Sequence, residues 1–340
     1  MKNIGVFMNG TTFSCAVIGC GSVAVMHCHG IIEAGHTLAA LCDIKAEKAQ
    51  KYKEQFAPDA RIYTDWQEML LCPDIDVVHI CTPHYLHVDM AVAALKAGKH
   101  VFLEKPLATN EADIQRLLRA EAESDKYICV CFQNRFLPAM QYLKGLVEQY
   151  GPVTSARGMV TWKRTAPYYT DSGWRGKWDT EGGGVMINQA IHNLDLLLWL
   201  CGVPSHVEAS CANRHLQGVI EVEDTCEARL TYDDGRVALF YATTAHGEDA
   251  PNFLELACPA HRIMLYGETI MVDGVISPCD EPEIVTSLGK KCWGNGHIHL
   301  ISLFYQSILD GKPSPVSVES ASHAVKVLLQ CYESSGIKER

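Results

Sequence analysis

Short apolar runs recur through the first third of the chain, each closed by a polar or turn-forming residue and followed by helical spacing. Ser14–Ile18 and Thr37–Cys42 come first, then Arg61–Tyr63, residues 76–81, His100–Leu103 and residues 127–132. Helices are predicted from the first glycine turn to Ala34, over 45–55, from a capping Asp65 to Leu71, and over 86–96 and 110–123. Strands that alternate with helices of this length are joined by crossovers, which gives a parallel sheet with helices on both faces.

The pattern changes after Arg135. A helix over 137–149 ends at Gly151-Pro152, and residues 153–162 alternate like a strand. A loop rich in glycine and tryptophan, 174–184, precedes one long predicted helix, 185–200. Strand-like runs follow at His206–Ala212, 225–232, 236–243, Phe253–Ala257, 262–265 and Thr269–Val272, with Asp233-Asp234-Gly235 as a hairpin turn. Helices over 296–309 and 319–334 close the chain. With 340 residues, two domains are expected. The first, 1–133, is a doubly wound parallel sheet of the dinucleotide-binding (Rossmann) type. The second, 134–340, is an α+β unit with an open, mostly antiparallel sheet that binds substrate and forms oligomers.

A net charge of −11 argues against nucleic acid or an anionic membrane as partner. The 15 cysteines form no C-x-x-C pair and many sit inside apolar runs, as reduced thiols do in a cytosolic protein. The apolar stretch at 4–8 is too short for a signal peptide, and the segment 194–203 contains Asp195. A soluble, cytoplasmic chain is expected.

Several groups of residues carry chemistry. In Gly19-Cys20-Gly21-Ser22-Val23-Ala24, Gly19 permits a strand-to-helix turn and Gly21 lets backbone approach a pyrophosphate. Ala24 permits close packing, and the N–H groups at the helix start, from Ser22 and Val23 onward, suit phosphate. An ordinary tight turn would use the same glycines. Asp43, at the end of the second strand, can accept from ribose hydroxyls and would repel a 2′-phosphate, which favours NAD over NADP. Thr82 and Pro83, with His87, follow the fourth strand as a further cofactor contact or as plain turn chemistry. Asn134, just past the sixth strand, is grouped with the cofactor contacts.

Glu104-Lys105-Pro106 stands at the tip of the fifth strand, where open α/β sheets bind their ligands. Desolvation and a cationic neighbour would lower the Lys105 pKa and make proton exchange feasible, with Glu104 orienting it or a ribose. A lysine snorkelling at a strand end is the plainer alternative. Asn188, His192 and Asp195 fall on one face of the long predicted helix, where a polar stripe among apolar residues implies a polar cavity. A structural histidine bonded to Asp195 would have the same spacing. Arg164, Tyr168, Trp174, Arg175 and Trp178 form an aromatic and cationic loop suited to a sugar or simply to packing itself. His297 and His299 carry less. No metal set is apparent.

This ordered set, together with Gly182-Gly183-Gly184, resembles the Gfo/Idh/MocA oxidoreductase family over nearly all of the chain after residue 13. The resemblance implies tightly held NAD or NADP, chemistry on cyclitols, sugars or sugar nucleotides, and a homodimer or homotetramer. It implies Lys105 and His192 as the catalytic pair and a loop at Trp174-Arg175-Gly176 near the nicotinamide. Asn188 stands where inositol dehydrogenase-like members have an aspartate, so Asn188 is expected to bind a substrate hydroxyl, beside Asp195, Arg164, Tyr168 and Trp174. The expected reaction moves a hydride between nicotinamide and a secondary hydroxyl, possibly at C3, while His192, assisted by Lys105, takes the proton. A redox-neutral glycosidase working through transient C3 oxidation, and a dinucleotide-sensing regulator, are the alternatives.

Overall fold

A computed structural model describes residues 11–279 and 294–337; the stretch at 4–8 and Cys292 lie outside them. Six strands form the first sheet: β1 (Ser14–Ile18), β2 (Thr37–Cys42), β3 (Arg61–Tyr63), β4 (Val77–Ile80), β5 (His100–Leu103) and β6 (Ile128–Val130). All pair in parallel, in the order β3-β2-β1-β4-β5-β6. Their residues read as unbroken apolar runs because helices cover both faces; Cys15 to Ile18 are all buried. The strand order reverses between β1 and β4, so the tips of these two strands flank the crevice where such sheets bind ligands.

The connecting helices are α1 (Ala24–Glu33), α2 (Ala46–Phe56), α3 (Trp66–Leu70), α4 (His87–Lys96) and α5 (Glu111–Ala122). Asp65 caps α3 by accepting from Gln67 N, and Asn110 caps α5 by accepting from Asp113 N at 2.9 Å. Beyond β6 a 3-10 turn, Gln133–Phe136, leads into α6 (Pro138–Tyr150), which starts on its proline.

The second sheet has eight strands: β7 (Ser155–Thr161), β8 (His206–Ala212), β9 (Thr225–Thr231), β10 (Val237–Thr243), β11 (Phe253–Ala257), β12 (Arg262–Tyr266), β13 (Thr269–Val272) and β14 (Val275–Ser277). Their order is β14-β13-β12-β11-β7-β10-β9-β8, with β7 and β10 parallel and the other pairs antiparallel. In β9, Cys226, Ala228 and Leu230 face the core while Glu227 and Arg229 face solvent, the alternation of a sheet covered on one side. Asp233, Asp234 and Gly235 turn β9 into β10 as predicted.

The helices of the second half are α8 (Val185–Asn188), α9 (Ile191–Cys201), α10 (Gly296–Asp310) and α11 (Val318–Ser335), with a short α7 (Ala166–Thr170) in the loop before them. The single helix expected over 185–200 is two. Ala190 N reaches back to Val185 O, skipping one residue of helical register, and α9 starts afresh at Ile191. Leucines surround α9, since it lies between the second sheet and α11. The closing helices return to the first sheet. α10 packs on α1, where a Cβ on Gly30 would lie 2.6 Å from Ile301, and Val316 O accepts from Val130 N of β6.

Among the described residues no helix is long and apolar enough to cross a membrane. Fourteen cysteines are described, all but Cys72 and Cys279 buried.

One ion pair fastens the chain leaving the first sheet to the helices of the second. Arg135 Nε and Nη2 donate to Asp195 Oδ2 and Oδ1 at 2.8 and 2.5 Å, and Nη1 donates to Ser320 Oγ of α11 at 2.9 Å. Arg135 is 7% exposed and Asp195 1%. Removing one member of a buried pair leaves the other charge stranded. The Asp195→Ala protein is therefore expected to lose about 3–5 kcal/mol of stability, read from urea unfolding.

Candidate active site

At the crevice, Gly19 has φ +90°, and a Cβ on it would lie 2.6 Å from Cys81 O of the neighbouring chain segment. Only glycine fits there. Its N–H donates to Cys42 O at 2.7 Å, tying the turn to the end of β2. A Cβ on Gly21 would meet nothing within 4 Å, so that side of the turn is open to an approaching group. Ser22 is exposed, Val23 precedes α1, and the first turn of α1 carries no acidic residue. A pyrophosphate fits this arrangement of open backbone and helix N-terminus. Asp43 Oδ2 accepts from Cys20 N and Oδ1 from Lys45 N, both at 2.9 Å, which fixes a carboxylate at the tip of β2 with lone pairs to spare for ribose hydroxyls.

Thr82 and Pro83 follow β4. Thr82 Oγ1 donates to Met90 Sδ at 3.5 Å, and Pro83 opens a 3-10 turn over His84–Leu86. The His87 ring faces protein on both nitrogens. It is fully buried between the two strand-end turns, with Nδ1 2.7 Å from Pro106 O and Nε2 2.9 Å from Thr82 O. Burial lowers its pKa, so one ring nitrogen carries the proton and bonds one carbonyl at a time.

Glu104 also differs from expectation. Its side chain turns away from the crevice into a buried cluster. Oε1 is 2.9 Å from His27 Nε2 and 3.7 Å from His297 Nε2, while Oε2 accepts from Lys105 N at 3.2 Å. His27 Nδ1 is 3.0 Å from His79 Nδ1, and His79 Nε2 is 2.7 Å from Tyr305 OH. Burial by itself would raise the Glu104 pKa; the hydrogen bonds from His27 and His297 outweigh it and hold the carboxyl well below the usual range. With Cys131, these residues bring one possible metal-ligand atom each to within 4.8 Å of one another. The histidine donors and the carboxylate acceptor answer one another, which accounts for the grouping as a hydrogen-bonded cluster. The carboxylate is thus unavailable to a ribose; its work is to anchor the turn that carries Lys105.

Lys105 points the other way. Its Nζ donates to Asn188 O, the backbone carbonyl that ends α8, at 2.8 Å, so a residue of the first sheet reaches the helical segment of the second. Burial lowers its pKa, with Glu104 and Glu181 opposing. His192 lies one turn beyond Asn188. Its Nδ1 is buried without a hydrogen-bond partner among the described residues, and its ring meets Phe132 edge-on at 5.9 Å. Burial, then the Lys105 charge, holds its pKa well below 6.5, so the imidazole is neutral.

The stripe expected to face substrate is shared out among different tasks. Asp195 is committed by both oxygens to Arg135 and is no substrate ligand. Asn188 is half-buried, with Nδ2 2.5 Å from Glu181 Oε1 and 3.4 Å from Tyr168 OH. Gln189 Nε2 donates to the same phenol at 3.0 Å. The Arg175 guanidinium lies 4.5 Å from the Tyr168 ring centre and 5.0 Å from that of Trp174, and its Nε has no hydrogen-bond partner among the described residues. Trp174 also packs edge-on against His84 at 4.7 Å. Arg164 is taken by Asp249 at 2.8 Å, and Trp178 packs on Tyr332 with Nε1 donating to Glu221 O. Asn134 is half-buried on the 3-10 turn after β6.

The triglycine before α8 exists because three elements crowd it. A Cβ on Gly183 would lie 2.1 Å from Tyr332 OH, and one on Gly184 1.8 Å from Glu223 O. Glu223 accepts from Gly184 N, Met186 N and Tyr332 OH at 2.8 to 2.9 Å, and so holds the start of α8. Sequence reasoning passed over Glu223 and Glu181. Glu181 could have been noticed from its place directly before the glycines, whereas nothing local marks Glu223. His27 stood in plain view three residues past Ala24, on a helix whose inner face is otherwise apolar.

Comparison with known proteins agrees with this fold. A family model described as "Oxidoreductase family, NAD-binding Rossmann fold" matches residues 13–132, and the "GFO/IDH/MocA C-terminal domain" matches 140–272. Inositol 2-dehydrogenase of Salmonella typhimurium is 29% identical over 194 residues, 56% of this chain and 54% of that protein. Levoglucosan dehydrogenase of Pseudarthrobacter phenanthrenivorans is 30% identical over 210 residues, 55% of this chain and 54% of that protein. The chain thus matches about half the length of these curated relatives. Among solved structures, levoglucosan dehydrogenase in complex with NADH and levoglucosan superposes with a TM-score of 0.86 at 23% identity, over 97% of this chain and 98% of that one, a likeness of fold. The WlbA dehydrogenase from Bordetella pertussis, in complex with NADH and UDP-GlcNAcA, superposes with a TM-score of 0.81 at 26% identity, over 96% and 97%. With both sheets matched, the chain belongs to the Gfo/Idh/MocA oxidoreductase family.

Proposed function

We propose that this chain is an NAD-dependent oxidoreductase acting on a secondary hydroxyl of a sugar, glycoside or sugar nucleotide. One observation carries the reading. The Lys105 ammonium, just past β5, donates to the Asn188 carbonyl at the end of α8, and its charge reaches the neutral His192 imidazole at the start of α9. A dehydrogenase needs a base that is uncharged at neutral pH and a donor that steadies developing negative charge on the substrate oxygen. NAD, when bound, accepts the hydride. Gly19, Gly21, Ser22 and Val23 would hold its phosphates and Asp43 its ribose, with Trp174 and Arg175 near the nicotinamide.

The protein's residues do the rest. Lys105 donates a hydrogen bond to the reacting oxygen, and His192 takes the hydroxyl proton on the ring nitrogen facing it. Tyr168 and Trp174 offer aromatic faces to a sugar ring, and the Arg175 guanidinium between them suits hydroxyls or an anionic substituent. The names of the relatives support this class, since they act on inositol and levoglucosan or are seen with a sugar nucleotide. The carbon oxidised is proposed as C3, and pairing of the second sheet's outer face between copies as the route to a dimer or tetramer.

Three outcomes test the reading. The Lys105→Ala protein should bind NADH, followed by cofactor fluorescence, yet lose turnover by about 10²- to 10⁴-fold. One NADH should accumulate per substrate consumed; sugar cleavage without net NADH would favour the redox-neutral glycosidase. In the oxidative direction His192 acts only when deprotonated. The acid limb of kcat should therefore lie below pH 6.5, because the His192 pKa is lowered in the folded protein.

A further inference from the structure

Glu181 has no place in the chemistry above, yet it is fully buried beside it. Its side chain meets two donors: Oε1 faces Asn188 Nδ2 and Oε2 accepts from Gly176 N, each at 2.5 Å. Its backbone oxygen is 2.8 Å from His84 Nδ1, which fixes the residue from the Rossmann side as well. A carboxylate can only accept hydrogen bonds, so the end of the Asn188 amide that faces it must be the NH2 group. The carbonyl end is then turned the other way. A free asparagine has no such preference, since its two ends are nearly equal in shape.

We infer that Glu181 is a positioning residue for the substrate: it locks the Asn188 amide so that Oδ1 is presented to a substrate hydroxyl as an acceptor. This rests on the oxidoreductase reading for the identity of the ligand, but the lock itself does not. Asn188 supplies its backbone oxygen to Lys105 and its side chain to the ligand, so one residue both positions the lysine and meets a hydroxyl beside the reacting carbinol. The specificity that results is for a hydroxyl, a donor, at the position next to the one oxidised. An ether or a deoxy carbon there leaves Oδ1 unpaired and is rejected.

The lock is also sensitive to protons. Burial raises the Glu181 pKa to about 7, against the opposing pull of Gly176 N–H, the Asn188 amide and Arg175, with Glu223 adding to the rise. Lys105 just past β5, Tyr168 and Tyr169 of α7, and His84 of the 3-10 turn after β4 are the other titratable groups beside it. Protonated on Oε1, the carboxyl becomes a donor, and the amide is stable with Oδ1 turned inward and NH2 outward. The acceptor offered to the substrate becomes a donor below that pH and is restored above it.

The test uses the full chain and the Glu181→Gln, Asn188→Ala and double variants, each checked for NADH binding. With a substrate found in a sugar panel, Glu181→Gln should lower kcat/KM about tenfold, the worth of one hydrogen bond, chiefly through KM. It should also remove the limb near pH 7 from the kcat/KM profile. In the Asn188→Ala background the same change should cost less than about twofold, since coupled residues do not add. An equal cost in both backgrounds, or a limb near 7 that survives in Glu181→Gln, overturns the inference. If wild-type protein oxidises no sugar, the oxidoreductase reading fails, and the lock is judged without turnover. The side-chain 15NH2 signals of Asn188, identified by their loss in Asn188→Ala, should shift with a midpoint near pH 7 in wild type and stay fixed in Glu181→Gln. A pH-invariant signal in wild type overturns it.

Discussion

The bidentate contact between Arg135 and Asp195 is the joint on which the two halves depend. Arg135 lies just past the last strand of the parallel sheet, and Asp195 lies one turn beyond His192 on α9. The pair therefore sets the helix bearing the imidazole relative to the sheet bearing the ammonium. Two buried ions are an expensive way to join two elements, and the return is direction. The planar guanidinium fits its carboxylate in one geometry only and turns its third nitrogen to Ser320, so α9 and α11 are aligned together.

A second economy lies in the two adjacent residues at the tip of β5. Glu104 and Lys105, on the turn just past β5, point to opposite sides. One enters the histidine cluster and is held as an anion; the other reaches across to Asn188. The rigidity of the lysine's turn is supplied from behind by groups that never face the crevice. Tyr305 of α10 joins that buried chain of hydrogen bonds and passes it on to Cys15 of β1, so a helix near the end of the sequence supports a turn in its first third.

Much of this could be read from residues in order. The parallel strands stood out because burial on both faces leaves unbroken apolar runs, and β1, β2, β3 and β5 have the expected bounds. The glycine turn and Asp43 were legible because a tight turn and a strand tip leave few choices of side chain. What escaped was whatever depends on distant partners. Asp195 looked like a site residue by its spacing from His192, but Arg135, 60 residues earlier, claims it. His87 and Glu104 face the core for the same reason. The break at Gln189-Ala190 has no proline or glycine to announce it, and it follows from the anchoring of α8 by Glu223 and of α9 by the sheet. Glu181 was passed over because a lone glutamate in a polar loop looks solvated until the fold closes round it.

The triglycine shows where such a protein can and cannot vary. A methyl group at 183 or 184 would strike the α11 phenol or the Glu223 backbone, so this stretch admits no side chain. The aromatic loop ahead of it is bound by weaker, adjustable ring contacts. Variation is then left to residues 164 to 178, with the frame behind them untouched: a fixed hinge with an exchangeable facing.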